Sequence, residues 1–461
     1  MVKRDNTEAK GTIIMSAGRD ILQVFNILKY RKFSGYSGLA AKNSIYQFLT
    51  NIILKGGSLL FTLIFARLLM PELFGLYSLA LATIILFALL ADLGIGQSLI
   101  VFISKSMQKN KPEEAKAYFN YIFKIKIWLT LLSVTLLVLS SKLIVSFYND
   151  KPILLALLVG TLYVVSLSLI GVFDALFQAV NNFRQNMLRE LIFQILRLII
   201  VPIGALLFIK SSYDFILFVI IGLLSLTYIV ALIFMAYVAY QKVPLMKEKS
   251  RGLNSLEKKK VNKFLGIMAL TVLSGMFIGY IDTLMLGRFV TPEYIGFYQA
   301  ALNAINSLIP LIPISIVLFP IFNRLKGKKL EVGFKKSAKI TFIISVCLFV
   351  LTFIFAPLII KIIYGSAYAN SVLILRFLSF IVLIYPLSAL YDGYLISRGK
   401  NKIVAKFLII TTIIGAILSY ALIKIFVLQS FYMATIGAAI AVVATRAFYL
   451  ATQIWNKSRL Q

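Results

Sequence analysis

Long apolar runs separated by short, lysine-rich polar turns occupy almost the whole of this chain. Each run is near or above the roughly 20 residues that a helix needs to cross a hydrocarbon core about 30 Å thick. The runs lack two-residue alternation and are too long for barrel strands, so helices are the element that satisfies the backbone in lipid. Twelve spans are expected, at 44–68, 74–104, 119–139, 153–180, 188–209, 215–240, 264–287, 295–322, 340–360, 372–397, 403–426 and 432–455. The expected fold class is an all-α polytopic membrane protein of about 12 transmembrane helices.

The polar turns set the orientation. Base clusters in alternate loops: Lys105, Lys109, Lys111 and Lys116; Arg184 and Arg189; 242–263; 324–339; then Arg398, Lys400, Lys402 and Lys406. The other loops carry isolated bases such as Lys151, Lys210, Arg288 and Lys361. Cytoplasmic loops hold the excess of Lys and Arg, so both termini are expected in the cytoplasm. The even span count agrees. The first 43 residues are basic and lack a signal-peptide core. Ile21, Val24, Phe25 and Leu28 recur at helical spacing, which fits either a surface-lying amphipathic helix or a basic tail.

The linker 241–263 divides the chain into 44–240 and 264–461, and the halves repeat. Arg67, Pro71, Glu72, Gly75 and Tyr77 match Arg288, Pro292, Glu293, Gly296 and Tyr298 without a gap. Further on, Phe173-Asp174 corresponds to Tyr391-Asp392. Six spans per half is even, so the halves are parallel repeats of six helices around a central cavity. The second span is interrupted at Asp92-Leu-Gly94-Ile-Gly96 and its counterpart, the eighth, at Pro310 and Pro313. Matching interruptions point to a transport path, although Gly and Pro also merely kink membrane helices.

Charge changes the picture where it falls inside a span, because it is costly there. Lys55, Arg197 and Arg376 either line the cavity as sites for an anion or pair with acids and fix packing. Asp92, Asp174, Asp282 and Asp392 are the in-span acids and the candidates for gating or ion coupling. Asp174 and Asp392, related by the repeat, fit a brace to loop bases better than a gate. Asp282 has no acidic repeat partner and is the best single candidate for a coupling carboxylate.

Composition excludes several classes. The net charge of +31 is spread over loops rather than gathered on one domain, which argues against nucleic acid as a partner. With no His and one Cys, the chain has no ordinary zinc site, internal disulfide or His-based triad. Cys347 reads as a buried apolar filler. No phosphate-binding G-x-x-x-x-G-K-[ST] loop is present, and no metal or other cofactor is expected.

The stretch Arg67-Leu-Leu-Met-Pro71-Glu72-Leu-Phe-Gly75-Leu-Tyr77 followed by Asp92-Leu-Gly94 resembles the opening of polysaccharide repeat-unit flippases of the Wzx type. Ile281-Asp282-Thr-Leu-Met-Leu-Gly287-Arg288, running into Gly296-Phe-Tyr298, is similar, as is the turn Ser397-Arg398-Gly399-Lys400. The resemblance covers the chain beyond its first forty residues and implies the multidrug/oligosaccharidyl-lipid/polysaccharide exporter superfamily. It further implies two six-helix bundles with alternating access and a non-enzymatic transporter in the cytoplasmic membrane. The implied partners are a polyprenyl-diphosphate oligosaccharide, membrane lipids, and glycosyltransferases or a polymerase, with the transporter itself a monomer. The runner-up is a cation-coupled exporter of small amphipathic molecules. A membrane ligase or polymerase would need larger outer loops, and a twelve-span facilitator would carry an Asp-Arg-x-Gly loop that this chain lacks.

Overall fold

The computed structural model describes residues 35–309 and 327–459. Within them the chain forms α1 (Gly35–Leu90), α2 (Ile95–Gln108), α3 (Pro112–Phe147), α4 (Leu154–Ala179), α5 (Phe183–Leu207), α6 (Tyr213–Lys242) and α7 (Ser255–Phe289). There follow α8 (Pro292–Leu308), α9 (Gly327–Ile354), α10 (Ala356–Ile363), α11 (Ser371–Leu378), α12 (Phe380–Ser397), α13 (Asn401–Phe426) and α14 (Phe431–Ser458). Nine helical stretches among the described residues are long and apolar enough to cross a membrane. The first of them contains two of the expected spans. Met70 sits at φ 57°, ψ 169°, outside the helical region, and Pro71 begins a new helix there. The chain folds back at that point, since the rings of Phe65 and Tyr77 meet at 5.0 Å. The expected spans seven and eight, α7 and α8, are not among the nine stretches, so the full count of twelve stays an expectation.

The predicted break in span two is real. Residues 91–94 leave the helix, with Leu93 at φ 40° and Gly94 at φ 82°, and separate α1 from α2. Only glycine adopts the second of these without strain. Gly94 also abuts Met268 of α7, where a Cβ would overlap the methionine side chain. Pro310 and Pro313, like the first 34 residues, lie outside the described residues. Three element boundaries differ from expectation. The linker is shorter, because a capping box between Asn254 and Glu257 starts α7 at Ser255, within the lysine-rich stretch. Spans nine and ten are each divided, at Phe355 and Ser379.

The two copies of the repeated Pro-Glu-x-x-Gly segment pack on each other. A side chain at Gly75 would overlap the Pro292 carbonyl, and one at Gly296 would overlap that of Pro71. The preceding arginines reach across in the same reciprocal way. Arg67 donates to the carbonyls of Ile362 and Ile363, which end α10. Arg288 donates to the Phe147 carbonyl, which ends α3, at 2.7 Å and to Asn149 Oδ1. Each guanidinium thereby satisfies carbonyls that a helix terminus leaves free. Tyr368 Oη donates to the Ala66 carbonyl and Lys151 Nζ to that of Gly287, at 2.7 Å each. One apolar core joins both halves around this seam, from Phe65 and Leu76 to Phe297 and Ile360. At the end that carries the basic loops the core divides. Ile95, Phe119, Leu176 and Met235 form one cluster, and Leu330, Phe334, Leu390 and Tyr394 another. The halves therefore share one core at the far end, whereas at the basic end α7 still packs on the first half, with Val261 inside its cluster and Phe264 5.7 Å from Phe102.

Candidate functional site

Below the seam the helices diverge around a cavity of ≈ 420 Å³. Ser58, Phe61 and Thr62 of α1 and Arg197 of α5 line it from the first half, and Tyr280, Thr283, Gln299, Asn303 and Asn306 from the second. Ser58 and Asn303 each lie twelve residues from the adjacent helix reversal, about 18 Å along the axis at 1.5 Å per residue. That is close to the middle of a ~30 Å hydrocarbon layer.

Arg197 is the cation of this cavity. Its guanidinium lies over the rings of Phe61 and Phe193, at 4.3 and 5.3 Å. Nη2 donates to Ser58 Oγ at 3.3 Å, while Nε is buried without a hydrogen-bond partner. A planar cation held by stacking, with a buried donor unused, is arranged to receive an oxyanion. Lys55 lies one helical turn before Ser58, toward the basic end on the same face of α1, and is exposed. It does not line the cavity itself. Arg376 is elsewhere. It stands in the last turn of α11, donates through Nε to the Phe353 carbonyl at 3.3 Å and covers the Phe353 ring at 5.5 Å. The structure therefore gathers one of the three expected cations into the cavity wall, sets a second beside it and removes the third.

The acids divide similarly. Asp174 accepts from Arg189 Nε and Nη2, at 3.3 and 2.7 Å, so the α4–α5 hairpin is braced by a two-pronged pair. Arg189 also meets Glu190 at 2.6 Å. The repeat counterpart of Asp174, Asp392, meets no such arginine among the described residues and accepts instead from Tyr449, at 3.0 Å, and Gln453, both of α14. Asp92 pairs at 2.9 Å with Lys126, a fully buried base that sequence reasoning passed over. Lys126 fixes the break between α1 and α2. The signal was Lys124-Ile-Lys126, two bases inside span three.

Asp282 is buried at 5% exposure and accepts from Ser419 Oγ at 2.7 Å. It borders a second, much smaller space of ≈ 20 Å³ among α7, α13 and α14, with Thr411, Thr445 and Arg446. Cys347 departs from the expectation of a buried filler. It is exposed on α9, on the face that presents Phe342, Ile343, Ile344 and Val350. No cluster of metal-ligating side chains occurs among the described residues.

The comparisons agree with this architecture. An inward-facing multidrug resistance MATE family transporter of the MOP superfamily superposes with a TM-score of 0.69 at 14% identity, over 91% of this chain and 98% of that one. The lipid II flippase MurJ, in an inward closed conformation, gives 0.64 at 16% identity, over 90% and 87%. An outward-facing MATE structure gives 0.53 at 16% identity, over 88% and 97%. These identities establish a shared fold. No curated protein sequence matches the chain. The family profile described as "Polysaccharide biosynthesis protein" matches residues 64–373, which is more than half of the length, and the chain belongs to that family.

Proposed function

We propose that this protein turns a polyprenyl-diphosphate-linked oligosaccharide from the cytoplasmic to the outer leaflet of the cell membrane, by alternating access of the central cavity. The observation that carries the reading is Arg197, a half-buried guanidinium with an unused donor in a mid-depth cavity. A diphosphate cannot cross hydrocarbon unpaired, since even one side-chain charge there costs about 2.5–3.5 kcal/mol on the insertion scale. Membership of a polysaccharide biosynthesis family and the fold shared with a lipid II flippase support the same reading. In this account the protein is a transporter and not an enzyme. Its two bundles, 44–240 and 264–461, rock about the cavity. Both termini, including the basic segment 1–43, and the 241–263 linker are cytoplasmic. It works as a monomer beside glycosyltransferases or a polymerase.

The test is outer-leaflet appearance of lipid-linked sugar in cells, normalised to inserted protein. Arg197→Ala is expected to lose at least tenfold and Arg197→Lys to retain part, because Lys replaces the fork with a point charge. Normal activity in Arg197→Ala would remove the anion site. The second reading, a cation-coupled exporter, is favoured by one observation, the buried Asp282 bordering a small space of its own. We assign Asp282 to coupling within the flippase account. Asp282→Asn should then leave transport unresponsive to imposed proton and sodium gradients. An unchanged gradient response in that variant would remove the assignment.

A further inference from the structure

The wall of the cavity opposite Arg197 is built differently, and its construction has its own chemistry. Along α8, Ile295, Phe297, Tyr298, Ala300, Ala301, Ala304 and Ile305 are buried. The positions left open to the cavity are Gln299, Leu302, Asn303 and Asn306. The three amides stand at i, i+4 and i+7, so they form one stripe down the helix. Thr283 Oγ1 donates to Gln299 Oε1 at 3.1 Å, and Gln299 Nε2 donates to Asn303 Oδ1 at 3.1 Å. This chain of bonds orients both amides. It leaves the Asn303 amide hydrogens unused, and the Asn306 side chain has no hydrogen-bond partner among the described residues.

We infer that this amide stripe of the second half is the sugar subsite of the cavity, receiving the hydroxyl or acetamido groups of the glycan while Arg197 receives its diphosphate. The inference rests on the flippase reading and adds the division of labour between the walls. An amide offers a donor and an acceptor side by side, which matches neighbouring sugar hydroxyls. The amides carry no net charge, so they hold a diphosphate less strongly than the Arg197 guanidinium does. The space is also suited to the task. At ≈ 420 Å³ it falls within the roughly 300–1,000 Å³ of pockets that hold drug-sized ligands, room for a diphosphate and its first sugar. A lipid-linked sugar has its diphosphate bonded directly to its first residue, so one molecule spans both walls.

The experiment measures binding by the purified full-length protein of undecaprenyl diphosphate and of the same lipid bearing galactose, N-acetylglucosamine or rhamnose. At least one sugar-bearing probe is expected to bind tenfold or more tightly than the bare diphosphate. The triple variant Gln299→Leu/Asn303→Leu/Asn306→Leu should lose that increment and keep the wild-type affinity for the bare probe, which also reports that it is folded. If it loses the bare probe, the smaller pair Asn303→Ala/Asn306→Ala is measured in its place. A panel in which no sugar improves on the bare diphosphate would overturn the subsite, as would an increment that survives the substitutions. Failure of wild type to bind the bare diphosphate would strike instead at the flippase reading beneath it.

Discussion

The in-span charges were visible as charges in the sequence, but their partners were not. Arg197 and Arg376 look alike on the page, each a lone arginine in an apolar run. Folding sends one to the cavity and the other onto the Phe353 carbonyl, and that choice depends on which helix stands opposite. The stripe of Gln299, Asn303 and Asn306 escaped notice because neutral amides do not stand out among charges, although their helical spacing was there to read. The Lys126–Asp92 pair carries a prediction at this scale. The lysine side chain is 1% exposed and the aspartate 38%. Removing the aspartate strands a buried cation, whereas removing the lysine leaves a carboxylate that is partly open. Breaking a buried pair by deleting one partner costs about 3–5 kcal/mol when the survivor is fully buried. Asp92→Asn should therefore lower the thermal midpoint of the purified protein more than Lys126→Met. The reverse order would mean that the pair does not anchor the break.

At the scale of elements, the apolar runs and the internal repeat were legible, because hydrocarbon thickness and helix rise leave little freedom. What the repeat is for was not legible. Pro71-Glu72-x-x-Gly75 and Pro292-Glu293-x-x-Gly296 could have been two independent turns, yet each glycine admits the other segment's backbone. Asp174 and Asp392 show the limit of arguing by symmetry, since the first is held by Arg189 and the second by Tyr449 and Gln453. The seam is expected to be the closed gate at the end away from the basic loops. Gly296→Val puts side-chain carbon onto the Pro71 carbonyl and should hold the seam apart. In a Cys347→Ala background, a Thr62→Cys thiol in the cavity should then react several-fold faster with an impermeant maleimide added outside cells. Gly266→Val is the control, because a Cβ there meets nothing within 4 Å. Equal labelling rates in the two variants would show that the seam is not the gate.

Across the whole molecule, both halves share a core at the end away from the basic loops, while at the basic end contact between them runs through α7, so the cavity is more broadly sealed on one side. Which side that is depends on the loops. The bases of 241–263 lead us to expect that linker in the cytoplasm. A cysteine at Ser250 in the Cys347→Ala background should resist an impermeant reagent in intact cells and react once the cells are opened. Labelling in intact cells would invert the topology and the direction of transport with it. The central claim is that the cavity carries a diphosphate-linked glycan across the bilayer, and reconstitution tests it most directly. Purified protein is placed in vesicles containing a fluorescent undecaprenyl-diphosphate disaccharide, and an impermeant reductant quenches the outer leaflet. Passive exchange of a charged glycolipid is slow, so protein-free vesicles should stop near half quenching. Vesicles with the wild-type protein should proceed toward complete quenching, and those with Arg197→Ala should remain near half. Quenching that stops near half with folded wild-type protein, or runs to completion with Arg197→Ala, would contradict the account.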